Sequence, residues 1–228
     1  VRGGIISADT TWKQWAPTFP YMMGGSVEVA AGRTLTLEPN VTVKCWNAGL
    51  YVFGTLLADG AAGDIAFTSL RDDTVAGGTD DAGGVAAPDT GQWLGIYLGP
   101  DAGASDLNHC NIRYPSAYNN GNGLINIHGA AHYTAIFVDS SSPAITNCAI
   151  QYVYGHGIDL WASKAVIQNN TIADVNGGYW SIVQRTTDTF PVYANNTASG
   201  TGNLGVWTTN GEMTVSGSYV LAQTFGNR

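Results

Sequence analysis

Apolar and polar residues alternate along this chain only in short bursts, too brief for any one strand to bury a face by itself. Val27-Glu28-Val29, Leu35-Thr36-Leu37, Val41-Thr42-Val43 and Ile65-Ala66-Phe67 each repeat with period two, the period of a β-strand with one side turned inward. Ala31-Gly32, Pro39-Asn40 and Asp59-Gly60 separate them and predict turns. Almost no run is rich in the Glu, Lys, Leu and Arg that an amphipathic helix favours.

One strand motif then returns: Gly49-Leu50-Tyr51-Val52, Gly95-Ile96-Tyr97-Leu98, Ala135-Ile136-Phe137-Val138, Gly157-Ile158-Asp159-Leu160, Ser181-Ile182-Val183-Gln184 and Gly205-Val206-Trp207-Thr208. From Ile136 onward its second positions lie 22, 24 and 24 residues apart, a repeat length that signals a solenoid. A second motif follows the later copies: Leu107-Asn108-His109-Cys110-Asn111-Ile112, Ile145-Thr146-Asn147-Cys148-Ala149-Ile150, Ile167-Gln168-Asn169-Asn170-Thr171-Ile172 and Tyr193-Ala194-Asn195-Asn196-Thr197-Ala198. Two motifs locked in phase predict two faces of one coil. Strands this short are stable only if coils stack at about 4.8 Å into parallel sheets around an aliphatic interior.

With these motifs, Val27 to Phe67 and Trp93 to Val206 resemble the right-handed parallel β-helix superfamily that includes pectate lyases and many surface proteins. The expected fold is an all-β, single-domain right-handed parallel β-helix with about 22–24 residues per coil. The resemblance further implies that the turn asparagines Asn147, Asn169 and Asn195 stack as an amide ladder inside a bend. The expected organisation is a non-repetitive N-terminal cap (1–26), first coils (27–70), an Asp/Gly-rich insertion (71–92) and one coil (93–112). A second insertion (113–133), regular coils (134–210) and a C-terminal strand or cap (211–228) follow.

Composition narrows the partners. The net charge is −8 and the nine basic residues are scattered, so there is no electrostatic footprint for nucleic acid or an anionic membrane. The longest apolar stretches, such as Leu50 to Leu57, have strand length, and no transmembrane segment is expected. Low charge, abundant Asn, Thr and Gly, seven Trp and a start at Val1 suit a mature secreted chain, extracellular or on the cell surface. Cys110 and Cys148 hold equivalent places in adjacent coils, at a Cα spacing that permits a disulfide; stacked thiols fit equally well. Cys45 has no evident partner.

Alternation turns Leu50, Ile96, Ile136, Ile158, Ile182 and Val206 inward, and Tyr51, Tyr97, Phe137, Asp159, Val183 and Trp207 outward. Tyr51, Tyr97, Phe137 and Trp207 thereby form a candidate platform for a sugar or a second subunit, or one covered by a flanking insertion. Catalytic candidates are Asp139, Asp159 and Arg185. Asp139 aligns with Trp161 and Arg185 rather than with Asp159, which predicts that it lies on the opposite side of the strand or in the turn. A surface ion pair to Arg185 is the plainer expectation. Asp72, Asp73, Asp80 and Asp81 offer hard oxygen ligands for Ca²⁺, although no cofactor is required. His128 and His132 lie four apart without the further ligands a zinc site needs, and His109 takes the place of a turn asparagine.

Three functions fit. A secreted structural or adhesive β-helix would self-associate into an extracellular filament or surface assembly, a polysaccharide lyase or hydrolase would follow from the resemblance, and a carbohydrate-binding module would use the aromatic row. The first is preferred because the chain is little more than solenoid and its aligned outer positions are apolar. The expected partners are copies of itself or a surface polysaccharide.

Overall fold

In the computed structural model, which describes residues 1–79, 88, 90–116, 123–186 and 188–208, the short alternating segments become three parallel sheets wound by one chain. The first sheet contains Gly4–Ile6, Val27–Val29, Gly49–Val52, Gly95–Leu98, Thr134–Asp139, His156–Trp161, Trp180–Gln184 and Asn203–Thr208. The second contains Thr10–Trp12, Thr34–Leu37, Thr55–Asp59, Asp106–Asn108, Ala144–Thr146, Val166–Gln168 and Val192–Ala194. The third contains Tyr21–Met23, Thr42–Cys45, Ile65–Ser69, Cys110–Arg113, Ala149–Val153, Thr171–Val175 and Thr197–Ser199. Each coil visits the sheets in this order, giving the right-handed parallel β-helix that the repeat predicted. Among the described residues there is no α-helix, only the 3-10 turn Ala102–Ala104.

The predicted register holds. Ile96 lies beside Leu50 and Ile136, Ile136 beside Ile158, Ile158 beside Ile182, and Ile182 beside Val206. Opposite them, Val43, Phe67, Ile112, Ile150, Ile172 and Ala198 form the matching row of the third sheet. Leu107, Ile145, Ile167 and Tyr193 contribute from the second. These rows meet in one continuous apolar core.

The number of faces differs from expectation. The second motif is two strands, not one, because His109, Asn147, Asn169 and Asn195 sit in its middle with φ of 50°, 55°, 56° and 53°. A left-handed residue bends the chain sharply, and Asn and His adopt that state more readily than most residues. Two expected faces therefore become three.

The same corner relocates the ladder. Asn147, Asn169 and Asn195 are exposed, and Asn195 Nδ2 donates to Asn169 Oδ1 at 3.1 Å along the outside. The internal ladder uses the following residue, where the chain has returned to extended geometry and turns inward. Asn170 and Asn196 are 1% and 0% exposed. Asn170 Nδ2 donates to Asn196 Oδ1 at 3.0 Å and to the Ile145 carbonyl at 2.8 Å, while its Oδ1 accepts from the Cys148 amide at 2.9 Å. Cys110 and Cys148 hold the equivalent places in the preceding coils; both are buried free thiols, as is Cys45. In-register side chains of a parallel ladder start about 4.8 Å apart at Cβ, whereas a disulfide needs about 3.5–4.5 Å. Stacking without a bond follows from that mismatch.

Residues 1–26, expected as a non-repetitive cap, form a full coil with one strand in each sheet. Trp12 and Tyr21 stack with ring centres 4.8 Å apart and close this end of the core. The proposed terminal strand at 211–228 lies outside the described residues, as do 80–87 and 89 of the first insertion.

Replacing Asn170 by Ala leaves the Ile145 carbonyl and the Cys148 amide buried without their partner. It should lower unfolding free energy by about 2–4 kcal/mol, whereas Asn169→Gly, which keeps the corner, should cost under about 1 kcal/mol. Urea denaturation of the two variants at neutral pH checks the order.

Candidate functional site

The second insertion folds back over the first sheet. Ile125–Ile127 pairs antiparallel with Ala130–His132, and the two residues between them, His128 and Gly129, have φ of 52° and 77°, as a type I′ hairpin turn requires. Leu124, Ile125 and Ile127 pack with Tyr51, Phe53, Leu94, Tyr97, Phe137 and Trp161 into a second apolar cluster. Tyr51 Oη donates to the Leu124 carbonyl at 2.7 Å, and Tyr97 and Phe137 are only 3% and 0% exposed. Of the readings open for the aromatic row, coverage by the chain's own insertion holds for Tyr51, Tyr97 and Phe137. They present no platform while the hairpin is in place. Trp207, in the last described strand, is 40% exposed.

The hairpin also carries charge onto this face. Asp139 lies two residues along from Phe137, and period two puts it on the same outer side rather than the opposite one. It pairs across the ladder with Trp161. Its Oδ1 lies 3.1 Å from His128 Nε2 and accepts from Ser140 Oγ at 2.9 Å, while its Oδ2 accepts from Tyr97 Oη at 2.9 Å. Burial and then the Asp139 bond push the Tyr97 phenol far up, so it remains a donor. The His128 ring lies flat on Trp161, centres 4.0 Å apart.

Asp159 forms a separate network. Arg185 Nε donates to both its oxygens at 2.7 and 2.9 Å, and His132 Nδ1 approaches Oδ2 at 3.1 Å. The expected surface ion pair is thus a buried one: the Asp159 and His132 side chains have no exposure and Arg185 has 20%. Burial raises the Asp159 pKa, but the bonds from His132 and Arg185 outweigh it and hold the carboxyl below its usual range. Arg185 does not reach Asp139. Nearby His156 has its pKa lowered to about 4, chiefly by burial, and its Nδ1 accepts the Trp180 amide at 3.0 Å.

Each carboxylate is therefore saturated from within the chain, and the charges fasten the hairpin to the sheet. A glycoside-cleaving carboxyl group must reach its substrate, and Asp159 is sealed from solvent. Neither histidine was singled out from sequence as a carboxylate partner. The available signal was Ile125 and Ile127 at period two followed by His-Gly, a weak two-residue turn signature.

On the third sheet, Asp72 is fully buried and receives Arg113 Nη1 at 2.9 Å and Thr68 Oγ1 at 2.6 Å. It is committed to these groups rather than open to an ion. Beside it, the buried Lys44 Nζ donates to the Asp72 carbonyl at 2.9 Å. Asp73 follows it in the same segment, and Asp80 and Asp81 lie outside the described residues. Among the described residues, no group of three or more His, Cys, Asp or Glu is placed to hold a metal ion.

No protein-family model matches this chain, nor does any curated protein or solved structure. The architecture is that of a parallel β-solenoid of the β-helix type.

A second region stands open. Gly4–Ile6, Thr10–Trp12 and Tyr21–Met23 are each the outermost strand of a sheet, so one flank of their backbone has no strand partner among the described residues. Around them Val1, Ile5, Trp15, Phe19 and Met22 are 47%, 64%, 70%, 66% and 48% exposed.

Arg185→Met should destabilise the fold by about 3–5 kcal/mol by leaving Asp159 buried without its main counter-charge. Adding Asp159→Asn should recover a good share of that loss in thermal unfolding. Stability should also fall in acid. The unfolded state takes up a proton at His156 near 6.5 and the folded state only near 4, so its contribution is complete above about pH 6.5 and is lost as pH falls toward about 4, to the extent of about 3 kcal/mol. In His156→Asn, which keeps an acceptor for Trp180, denaturation curves across that window should be correspondingly flatter.

Proposed function

We propose that this chain is an extracellular structural or adhesive β-helix that assembles end to end, its first coil stacking on the last coil of another copy. The observation that carries this reading is the set of three unpaired edge strands in the first coil, ringed by exposed apolar side chains. Unpaired strand edges are templates for strand addition. A lone peptide strand satisfies one edge, whereas only another β-helical coil offers three strands in phase. Every copy carries such a coil: Val192–Ala194, Thr197–Ser199 and Asn203–Thr208 are the outermost described strands at the other end. Val192, Leu204 and Trp207 are 50%, 38% and 40% exposed there. Such a head-to-tail contact does not close on itself and extends into a filament.

The sealed carboxylates weigh against the lyase or hydrolase alternative. Carbohydrate binding retains one supporting observation, the near-parallel rings of Trp180 and Trp207, 6.0 Å apart, the latter partly exposed.

Light scattering across a concentration series, with electron microscopy of the same samples, should show growing linear assemblies. The double variant Trp15→Ser/Phe19→Ser should keep its thermal stability and remain monomeric. A wild-type protein that stays monomeric at every concentration would overturn the reading.

A further inference from the structure

We propose that the hairpin of residues 123–133 is a strap latched at its tip by His128 on Asp139, and that this latch loosens as pH rises. The first support is the residue at the turn. The leading position of a type I′ turn favours Asn, Asp or Gly, yet His128 occupies it with φ 52°. A left-handed conformation costs an ordinary side chain about 1 kcal/mol or more. Here that cost is offset by two contacts that only a flat, titratable ring makes together: the Nε2 bond to Asp139 at 3.1 Å and the stack on Trp161 at 4.0 Å.

The second support is the contrast between the hairpin's two histidines. His132, at the base, has no exposure. It faces Asp159, whose charge Arg185 already neutralises, with His156 close by, so a further proton there meets positive charge and no solvent. Its bond to Asp159, the Leu124 amide's bond to the His132 carbonyl at 2.8 Å and the Tyr51 bond to Leu124 hold the base as a hinge. His128, at the tip, has 29% of its side chain exposed, and its partner Asp139 has 7%. The groups facing it are Asp139, the Ser140 hydroxyl and the Tyr97 phenol that share that carboxylate, and the Trp161 ring. Arg185 lies one coil beyond Trp161 and is turned to Asp159.

Proton uptake by His128 therefore converts a neutral hydrogen bond into an ion pair and adds a cation over an aromatic face. Both gains are present in the protonated state and vanish as pH rises, so the tip is held more tightly at the acid side of neutrality. When it lifts, Trp161, Phe137 and Tyr97 lose their cover, and the aromatic row becomes an accessible surface.

Amide hydrogen exchange at pH 6 and pH 8, corrected for intrinsic rates and run dilute enough to keep the protein monomeric, tests this directly. Peptides within 123–133 should open about two- to fivefold more often at pH 8, the range expected of one partly exposed ion pair. The strands Thr134–Asp139 and His156–Trp161 should not change. His128→Asn, which suits the turn and does not titrate, should abolish the difference. Equal hairpin protection at both pH values, or a pH response that survives His128→Asn, would overturn the proposal.

Discussion

Hydrogen bonding between successive coils sets every other distance in the molecule. Because each short strand is paired in register with the same strand one coil away, side chains of like kind stack in rows. A row is stable only if every coil turns its corners at the same place. The left-handed residues at His109, Asn147, Asn169 and Asn195 enforce that, and the aliphatic rows of the core follow from them. Corner chemistry and core packing are thus one constraint seen from two sides: a coil that missed its corner would rotate its apolar residues out of the interior.

The covered face shows how a solenoid accommodates charge. Its outer rows contain aromatic residues and two aspartates that the interior does not accept, and the hairpin brings two imidazoles to meet them. Desolvation of Asp159 would be prohibitive alone; Arg185 and His132 make it tolerable by meeting its oxygens directly. Third-sheet Asp72 is treated alike by Arg113, Thr68 and Thr74. Buried acids in this fold hold added segments against a sheet.

The rows from Leu50 to Val206 were legible because period two and a repeat of 22 to 24 residues leave little choice of register. The third face was not, since a left-handed residue looks in sequence like any other asparagine, and the one-residue offset between Asn169 and Asn170 depends on it. The first coil was hidden because Gly4–Ile6, Thr10–Trp12 and Tyr21–Met23 have irregular spacing and mixed polarity. In the site, Asp159 and Arg185 were visible as neighbours on adjacent coils. Their histidine partners come from an inserted hairpin, and no periodicity predicts where an insertion lands.

The hairpin reaches side chains from five consecutive strands of the first sheet: Tyr51, Tyr97, Asp139 with Phe137, Asp159 with Trp161, and, through Asp159, Arg185. In a β-helix the backbone bonds between coils run along the long axis, so a pull on the two ends loads them in line and the coils separate in succession. A strap fixed across five of them makes those coils share the load. The middle of the rod is thereby its mechanically strongest region, and rupture under tension begins at the terminal coils, beyond the hairpin's reach.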